Sequence, residues 1–287
     1  MPLHKKNKHH SGYDLDVLCK VYPELKSYCF INNYNKLTID FANPSAVKSL
    51  NTALLKAYYG INFWNFPDHN LCPPIPGRVD YIHYLSDLVS TEKQVKVLDL
   101  GTGASCIYPL LGQAVYNWDF VAVDVNSDTI KYANNIIKEN KLEHKISLRH
   151  QKNKDNLLID IIETDDFFDI SMCNPPFYKS EEEALQATTR KLKGLKNENK
   201  TVVRNFSGQP DELWYNGGEK AFLHNYIYQS SLYKSNCLWY TSLVSKKDLV
   251  AGLQKSLKKM GAKHIKTINM QQGHKQSRIL AWSFKAM

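Results

Sequence analysis

The feature that most constrains this chain is a change of hydrophobic rhythm at Gln94. From there on, short apolar runs alternate with stretches whose apolar residues recur at helical spacing. The runs predict strands over 95–100, 120–125, 145–149, 168–173, 237–244, 264–269 and 278–284. Between most of them, 127–140, 218–234 and 246–260 are predicted as amphipathic helices. A strand that reaches the next strand through a helix has room for a parallel crossover, so the alternation implies a mostly parallel sheet wrapped on both faces. Only a short polar turn near Gly273 separates the last two runs, which implies antiparallel pairing there. The expected class is α/β, with a seven-stranded, mostly parallel sheet whose last strand is antiparallel.

Residues 1–90 lie outside this rhythm and are expected to form a basic arm and a small helical module, leaving 91–287 as the sheet domain. Asn43-Pro44 supplies an N-cap followed by proline at the first helical position, and Ala46, Val47, Leu50, Leu54 and Leu55 follow at helical spacing. Cys72-Pro-Pro-Ile-Pro-Gly77 is expected to be a non-helical turn or linker, with a short helix over 79–89 leading into the sheet. A polar insertion at 178–216, lysine-rich around 191–200, breaks the alternation. Long loops in compact domains are often lids or binding loops, and this one follows directly on the best catalytic motif.

Charge narrows the partners. The 287 residues carry 37 Lys and Arg against 28 Asp and Glu, a net +9, so polyanions are the first partners to consider. None of the six cysteines forms a C-x-x-C pair, and several sit in apolar runs, which suits reduced thiols rather than a disulfide frame or zinc site. Met1 to His10 is polar and basic with no apolar h-region, and no run is long enough to span a bilayer. A soluble, cytoplasmic protein is expected.

Two elements predict a nucleoside site. Val95-Lys-Val-Leu-Asp99-Leu-Gly101-Thr-Gly103-Ala-Ser105 is an apolar strand ending in a glycine turn, where backbone can approach a ligand at the carboxyl end of a parallel strand. A dinucleotide fingerprint would need a third glycine or alanine near Cys106. The aspartate ahead of the glycines also disfavours pyrophosphate. Asp124 closes the next strand, at the separation expected for an acid that bridges ribose hydroxyls; a helix N-cap is its alternative role, which Asn126 or Ser127 could equally fill.

Asn174-Pro175-Pro176-Phe177 follows the apolar run Phe168-Asp-Ile-Ser-Met-Cys173. Two consecutive prolines surrender two backbone donors and stiffen an extended turn. An exocyclic adenine amine has its lone pair delocalised into the ring, and it must become more tetrahedral before it can attack a methyl group. The Asn174 side-chain oxygen and the Pro175 carbonyl can each accept one N–H and impose that geometry. No base is needed beforehand, because the proton leaves a cationic amine after transfer. Phe177 offers a face for the base, worth about 1–3 kcal/mol in stacking. Such turns serve DNA adenine, RNA adenine and protein glutamine alike, so the motif gives the reaction and leaves the substrate open.

The whole chain resembles the bacterial 23S ribosomal RNA adenine-N6-methyltransferase family, and more distantly the eukaryotic methyltransferase-like RNA enzymes. The resemblance rests on His4-Lys-Lys-Asn7-Lys-His-His10, Ile39-Asp-Phe-Ala-Asn-Pro44, Leu71-Cys-Pro-Pro-Ile-Pro-Gly-Arg78 and Tyr81-Ile-His83. It continues through Asp99-Leu-Gly-Thr-Gly-Ala-Ser105-Cys-Ile-Tyr-Pro109, Cys173-Asn-Pro-Pro-Phe177, Gly217-Gly-Glu219, Thr241-Ser-Leu-Val-Ser245, Gln272-Gly-His-Lys-Gln-Ser-Arg278 and Ala281-Trp282-Ser-Phe284. It implies a Rossmann-like S-adenosylmethionine-dependent methyltransferase fold, with that molecule as donor and 23S ribosomal RNA or a large-subunit assembly intermediate as partner. A monomer without metal or membrane attachment is expected. Arg78 would hold the donor's carboxylate, and Asp99, Gly101, Gly103, Ser105, Asp124, Asn153 and Asn174 would complete the donor site. Lys5, Lys6, Lys8, His9 and His10 would form a phosphate-gripping arm, joined by Lys275 and Arg278.

Three readings compete on the residues themselves. An RNA adenine enzyme fits the basic charge and the arm, and an adenine in a loop or bulge avoids the cost of flipping. A protein glutamine methyltransferase could use the same turn but has no use for the positive charge. A binding module with a dead cofactor pocket is opposed by the intact set Asp99, Gly101, Gly103, Asp124 and Asn174.

Overall fold

The computed structural model describes residues 3–90, 92–185, 213–272 and 275–286. The N-terminal region contains α1 (Leu15–Val21), a 3-10 turn (Pro23–Tyr28), a hairpin of β1 (Cys29–Ile31) and β2 (Leu37–Ile39), then α2 (Pro44–Tyr59) and α3 (Ile75–Ser86). The sheet domain follows as β3 (Lys96–Leu100), α4 (Ile107–Tyr116), β4 (Asp119–Asp124), α5 (Ser127–Glu139), β5 (Ile146–His150) and β6 (Phe168–Cys173). It ends with α6 (Gly218–Ser230), β7 (Cys237–Val244), α7 (Leu249–Lys259), β8 (His264–Gln272) and β9 (Lys275–Ser283).

The seven strands of the main sheet lie in the order β5-β4-β3-β6-β7-β9-β8. The pairs β5–β4, β4–β3, β3–β6 and β6–β7 are parallel, while β9 runs antiparallel to both β7 and β8. This is the expected class and topology, and the final hairpin is longer than its apolar residues marked. The turn around Gly273 and His274 lies outside the described residues, as do residues 186–212, which include the lysine-rich 191–200.

Chain order places β4 and β6 on opposite sides of β3. That reversal opens a crevice at the carboxyl edge of such sheets. Register sharpens the point. Leu100 faces Val123 on one side and Cys173 on the other, so Gly101, Asp124 and Asn174 emerge together at one edge.

Strand alternation divides the core in two. Val97, Phe120, Ala122, Ile170 and Met172 face one cluster, which also contains Leu18, Leu50, Leu54 and Ile82 of the N-terminal region and Ile136 of α5. Leu98, Val121 and Val123 face the other, together with Phe222, Tyr226 and Leu253 of α6 and α7. The change of architecture near residue 90 is therefore no break in packing: α1, α2 and α3 share a core with one face of the sheet.

Local signals explain several elements. Asn43 accepts from the amides of Ser45 and Ala46 at 3.0 and 3.3 Å, opening α2 as its Asn-Pro pair predicts, and Gly60 closes it in the left-handed region (φ 68°). Asn126 caps α5 in the same way, and Thr129, Ala133, Ile136 and Ile137 form its buried stripe. Two expectations need correction. α3 begins at Ile75, so Pro76 and Gly77 belong to its first turn rather than to a linker; a missing N–H costs nothing there, because first-turn amides have no intrahelical partner. The N-terminal region is also not purely helical: it contains the hairpin of β1 and β2, whose three-residue strands are too short to show a strand period.

Candidate active site

The glycine turn is built by backbone geometry. Gly101 and Gly103 have φ of 75° and 67°, a region that side chains disfavour. The amides of Gly101 and Thr102 both donate to the Val123 carbonyl at 2.9 Å, which ties the turn to the end of β4. Asp124 then accepts from the Gly103 amide through Oδ2 and from the Asn126 amide through Oδ1, each at 3.0 Å. Asn126 takes the helix cap, which leaves Asp124 facing the cleft. Burial pushes the Asp124 carboxyl up, against the pull of its backbone donors.

Around this turn runs a cleft lined by Gly101, Gly103, Ser105, Asp124, Asn174 and Arg78, a single wall assembled from residues far apart in sequence. Pro176 lines it beside Asn174. Pro175 is buried beneath, and Phe177 is half-buried, its amide donating to the Leu213 carbonyl at 3.0 Å. An isolated bridge between Tyr178 and Trp214 joins the two ends of the 178–216 insertion next to the corner.

Asp99 is placed differently from expectation. It does not line the cleft but is fully buried below the glycine turn, and neither carboxylate oxygen has a hydrogen-bond partner among the described residues. Burial pushes its carboxyl up to about 7; Asp124 adds to the rise, while Thr102 and Arg78 oppose it. Arg78 shows the complementary deficit. One guanidinium nitrogen donates to the Tyr108 hydroxyl at 2.6 Å, and its Nε is buried without a partner among the described residues. On the cleft wall the open Nε of Arg78 suits a carboxylate, the charge of Asp99 under the wall favours an ammonium on the same carbon, and Asp124 further along suits sugar hydroxyls. The amino-acid and ribose ends of S-adenosylmethionine have that chemistry, so the residues fit the donor.

Asn153 is not on the cleft. Its side chain accepts from the Asp155 amide at 3.0 Å, and its own amide donates to the Gln151 side chain at 2.9 Å. Gln151, Asn156 and Leu157 line the cleft instead, because the segment after β5 turns at Asn153 and presents its neighbours. That segment is held from α6: the Gln229 side-chain oxygen accepts from the amides of Leu157, Leu158 and Ile159 at 2.8, 2.9 and 3.3 Å. Sequence reading had no signal for Gln229. Glu219, within Gly217-Gly-Glu219, accepts from the Ser245 amide and hydroxyl, fixing the start of α6 to the end of β7, and Phe222 one turn on lines the cleft.

The arm residues separate into two groups. Lys5, Lys8 and His10 are exposed, as is Lys6, whose Nζ lies 3.7 Å from Asp87. His9 is 4% exposed, and its Nε2 meets the Tyr59 hydroxyl at 2.8 Å. Burial and the neighbouring Lys8 lower its pKa to about 4, so the ring is neutral near pH 7 and offers phosphate no charge. His9 therefore leaves the phosphate-gripping set. Arg278 is half-buried opposite Val244, at the edge where Asn174 emerges; Lys275 begins β9, and its side chain lies outside the described residues. Among the described residues no group of His, Cys, Asp and Glu is placed to hold a metal, and no helix is long and apolar enough to cross a membrane.

Comparisons with known proteins point the same way as the geometry. A family model described as RNA methyltransferase matches residues 1–286. A protein of Colwellia psychrerythraea named ribosomal RNA large subunit methyltransferase F is 49% identical, covering 98% of this chain and 99% of its own. One of the same name from Flavobacterium johnsoniae is 48% identical, covering 98% and 93%. Among solved structures, the catalytic domain of hMettl16 in complex with the MAT2A 3′UTR hairpin 1 superposes with a TM-score of 0.87 at 31% identity, covering 99% of this chain and 96% of that one. The N-terminal domain of human METTL16 in complex with SAH superposes at 0.81 with 28% identity, each chain covered in full.

Proposed function

The chain belongs to the RNA methyltransferase family whose model spans it, and on that premise we propose that it methylates the N6 amine of one adenine in 23S ribosomal RNA of the large subunit. It is a methyltransferase that uses S-adenosylmethionine; the nucleobase, the RNA and the roles of individual residues are the proposal. One observation carries it. Asn174 and Pro176 close the same cleft that the glycine turn, Asp124 and Arg78 line, so an amine acceptor and a donor pocket share one edge of the sheet.

When bound, S-adenosylmethionine supplies an electrophilic methyl carbon on a sulfonium. Arg78 would hold its carboxylate, buried Asp99 its ammonium, Asp124 its ribose hydroxyls, and Gly101, Gly103 and Ser105 the approach of backbone to its adenosyl portion. Gln151 and Asn156 replace Asn153 at the far wall. The Asn174 oxygen and the Pro175 carbonyl accept the two amine hydrogens of the target adenine and turn its lone pair out of conjugation. After transfer the cationic amine releases a proton to solvent. Phe177, with the ends of the 178–216 insertion beside it, would stack the base, and Lys5, Lys6, Lys8, His10, Lys275 and Arg278 would meet phosphates. The protein would act in the cytoplasm as a monomer, with the region up to residue 90 serving as the RNA-binding part. The named relatives favour ribosomal RNA over a glutamine side chain.

Mass spectrometry of ribosomal RNA from cells with and without the intact gene tests this. One N6-methyladenosine in 23S RNA should disappear with the gene, return with the wild-type copy and stay absent with Asn174→Ala. A 23S RNA unchanged by deletion would overturn the assignment.

A further inference from the structure

Residues 4–10 form a strap outside the cleft, and their side chains alternate in role. His4, Asn7 and His9 are buried, while Lys5, Lys8 and His10 are exposed. The buried members grip α3. The Asn7 side-chain amide donates to the Pro76 carbonyl and to Asp80 Oδ1, both at 2.9 Å. The His4 amide donates to Asp80 Oδ1 at 2.7 Å, and His4 Nε2 lies 2.9 Å from Asp87. The strap is also braced internally: Asn7 Oδ1 accepts from the His9 amide at 3.0 Å, and His9 is anchored on Tyr59. Pro76 and Asp80 stand two residues either side of Arg78, so the clasp closes around the turn that presents the guanidinium to the cleft.

From this arrangement we infer that the strap couples polyanion binding to donor binding through the first turn of α3. Phosphates held by the exposed Lys5, Lys8 and His10 favour the docked strap, and the docked strap holds Arg78 where it takes the donor's carboxylate. Asn7 is the positioning residue of this device: it touches neither RNA nor donor but bonds to the backbone and carboxylate that flank Arg78. Linkage makes the coupling reciprocal, so the donor must tighten RNA by the factor with which RNA tightens the donor. The inference rests on the reading of Arg78 and of the arm given above.

Calorimetry with S-adenosylhomocysteine on the full chain, with and without a single-stranded oligoribonucleotide as polyanion, tests it. The oligoribonucleotide should tighten S-adenosylhomocysteine by about fivefold or more. Asn7→Ala should weaken the nucleoside by a similar factor and abolish the effect of RNA. Hydrogen exchange on the wild type gives a second reading that does not depend on the variant folding: S-adenosylhomocysteine should slow amide exchange across residues 4–10 several-fold, although none of them lines the cleft. Tight nucleoside binding with unchanged exchange in the strap and no response to RNA would overturn the coupling while leaving the donor site intact. Absence of nucleoside binding by the wild type would instead remove the donor reading beneath it.

Discussion

A carboxyl group buried under the glycine turn, with neither oxygen hydrogen-bonded among the described residues, costs the donor-free chain stability whenever it ionises. Burial raises the Asp99 pKa to about 7, so between the ordinary aspartate value and 7 the folded chain holds a proton that the unfolded chain has released. The associated stability is fully present below the ordinary aspartate value and is lost as pH rises through about 7. Asp99→Asn cannot ionise and escapes that loss. Thermal melts of the donor-free proteins should show the variant above wild type at pH 8, with the gap narrowing as pH falls towards 4. The same variant should bind S-adenosylhomocysteine about tenfold more weakly, because the buried negative charge beneath the ligand's ammonium is gone. Arg78→Met should show a comparable loss of nucleoside affinity without the pH-dependent gain in stability. Asp99 and Arg78 were legible in the sequence as candidates. Their shared deficit of partners was not, because it depends on a helix and a strand that meet only in the folded chain.

At the scale of elements, α6 supports the cleft more than its sequence announces. The Gln229 side chain satisfies three amides of the segment that carries Leu157 to the cleft, and it donates to the Asp155 carbonyl at 2.7 Å. While the Asp155 carbonyl keeps the Asn225 side-chain amide at 2.8 Å, Gln229→Ala leaves the amides of the buried Leu157 and Leu158 without their partner. It should lower stability by about 1–3 kcal/mol, read from denaturant midpoints at constant slope, and weaken nucleoside binding as well. By contrast, the caps at Asn43 and Asn126 were readable, because an Asx side chain before a periodic apolar run is a local signal. Asn43→Ala should cost about 1 kcal/mol with little effect on nucleoside binding. The same distinction explains Asn153. Spacing marked its neighbourhood, but the turn there spends the Asn153 side chain on the Asp155 amide and turns Gln151 and Asn156 to the wall.

For the whole molecule, the alternation of strands and helices was enough to give the class, the strand directions and the edge at which the site forms, because parallel connections leave few topologies. What it could not give was the merging of the N-terminal region with one face of the sheet, which depends on contacts such as Leu54 and Ile82 packing in the cluster of Val97 and Met172. It also could not show that the basic arm is half built into the core. If Lys5 and Lys8 meet phosphates, the double substitution by alanine should flatten the dependence of RNA affinity on salt by roughly 0.7 per lost single-strand contact.

Function requires the Asn174–Pro176 corner to act on a nucleobase amine beside a bound donor, and a methyl-transfer assay on purified protein tests that most directly. With methyl-labelled S-adenosylmethionine and large-subunit ribosomal RNA lacking its modifications, nucleoside analysis should place the label in N6-methyladenosine. Asn174→Ala should cut the rate by about 10²–10³-fold while still binding S-adenosylhomocysteine. Label in protein or in another nucleoside, or an Asn174→Ala variant as fast as wild type, would contradict it.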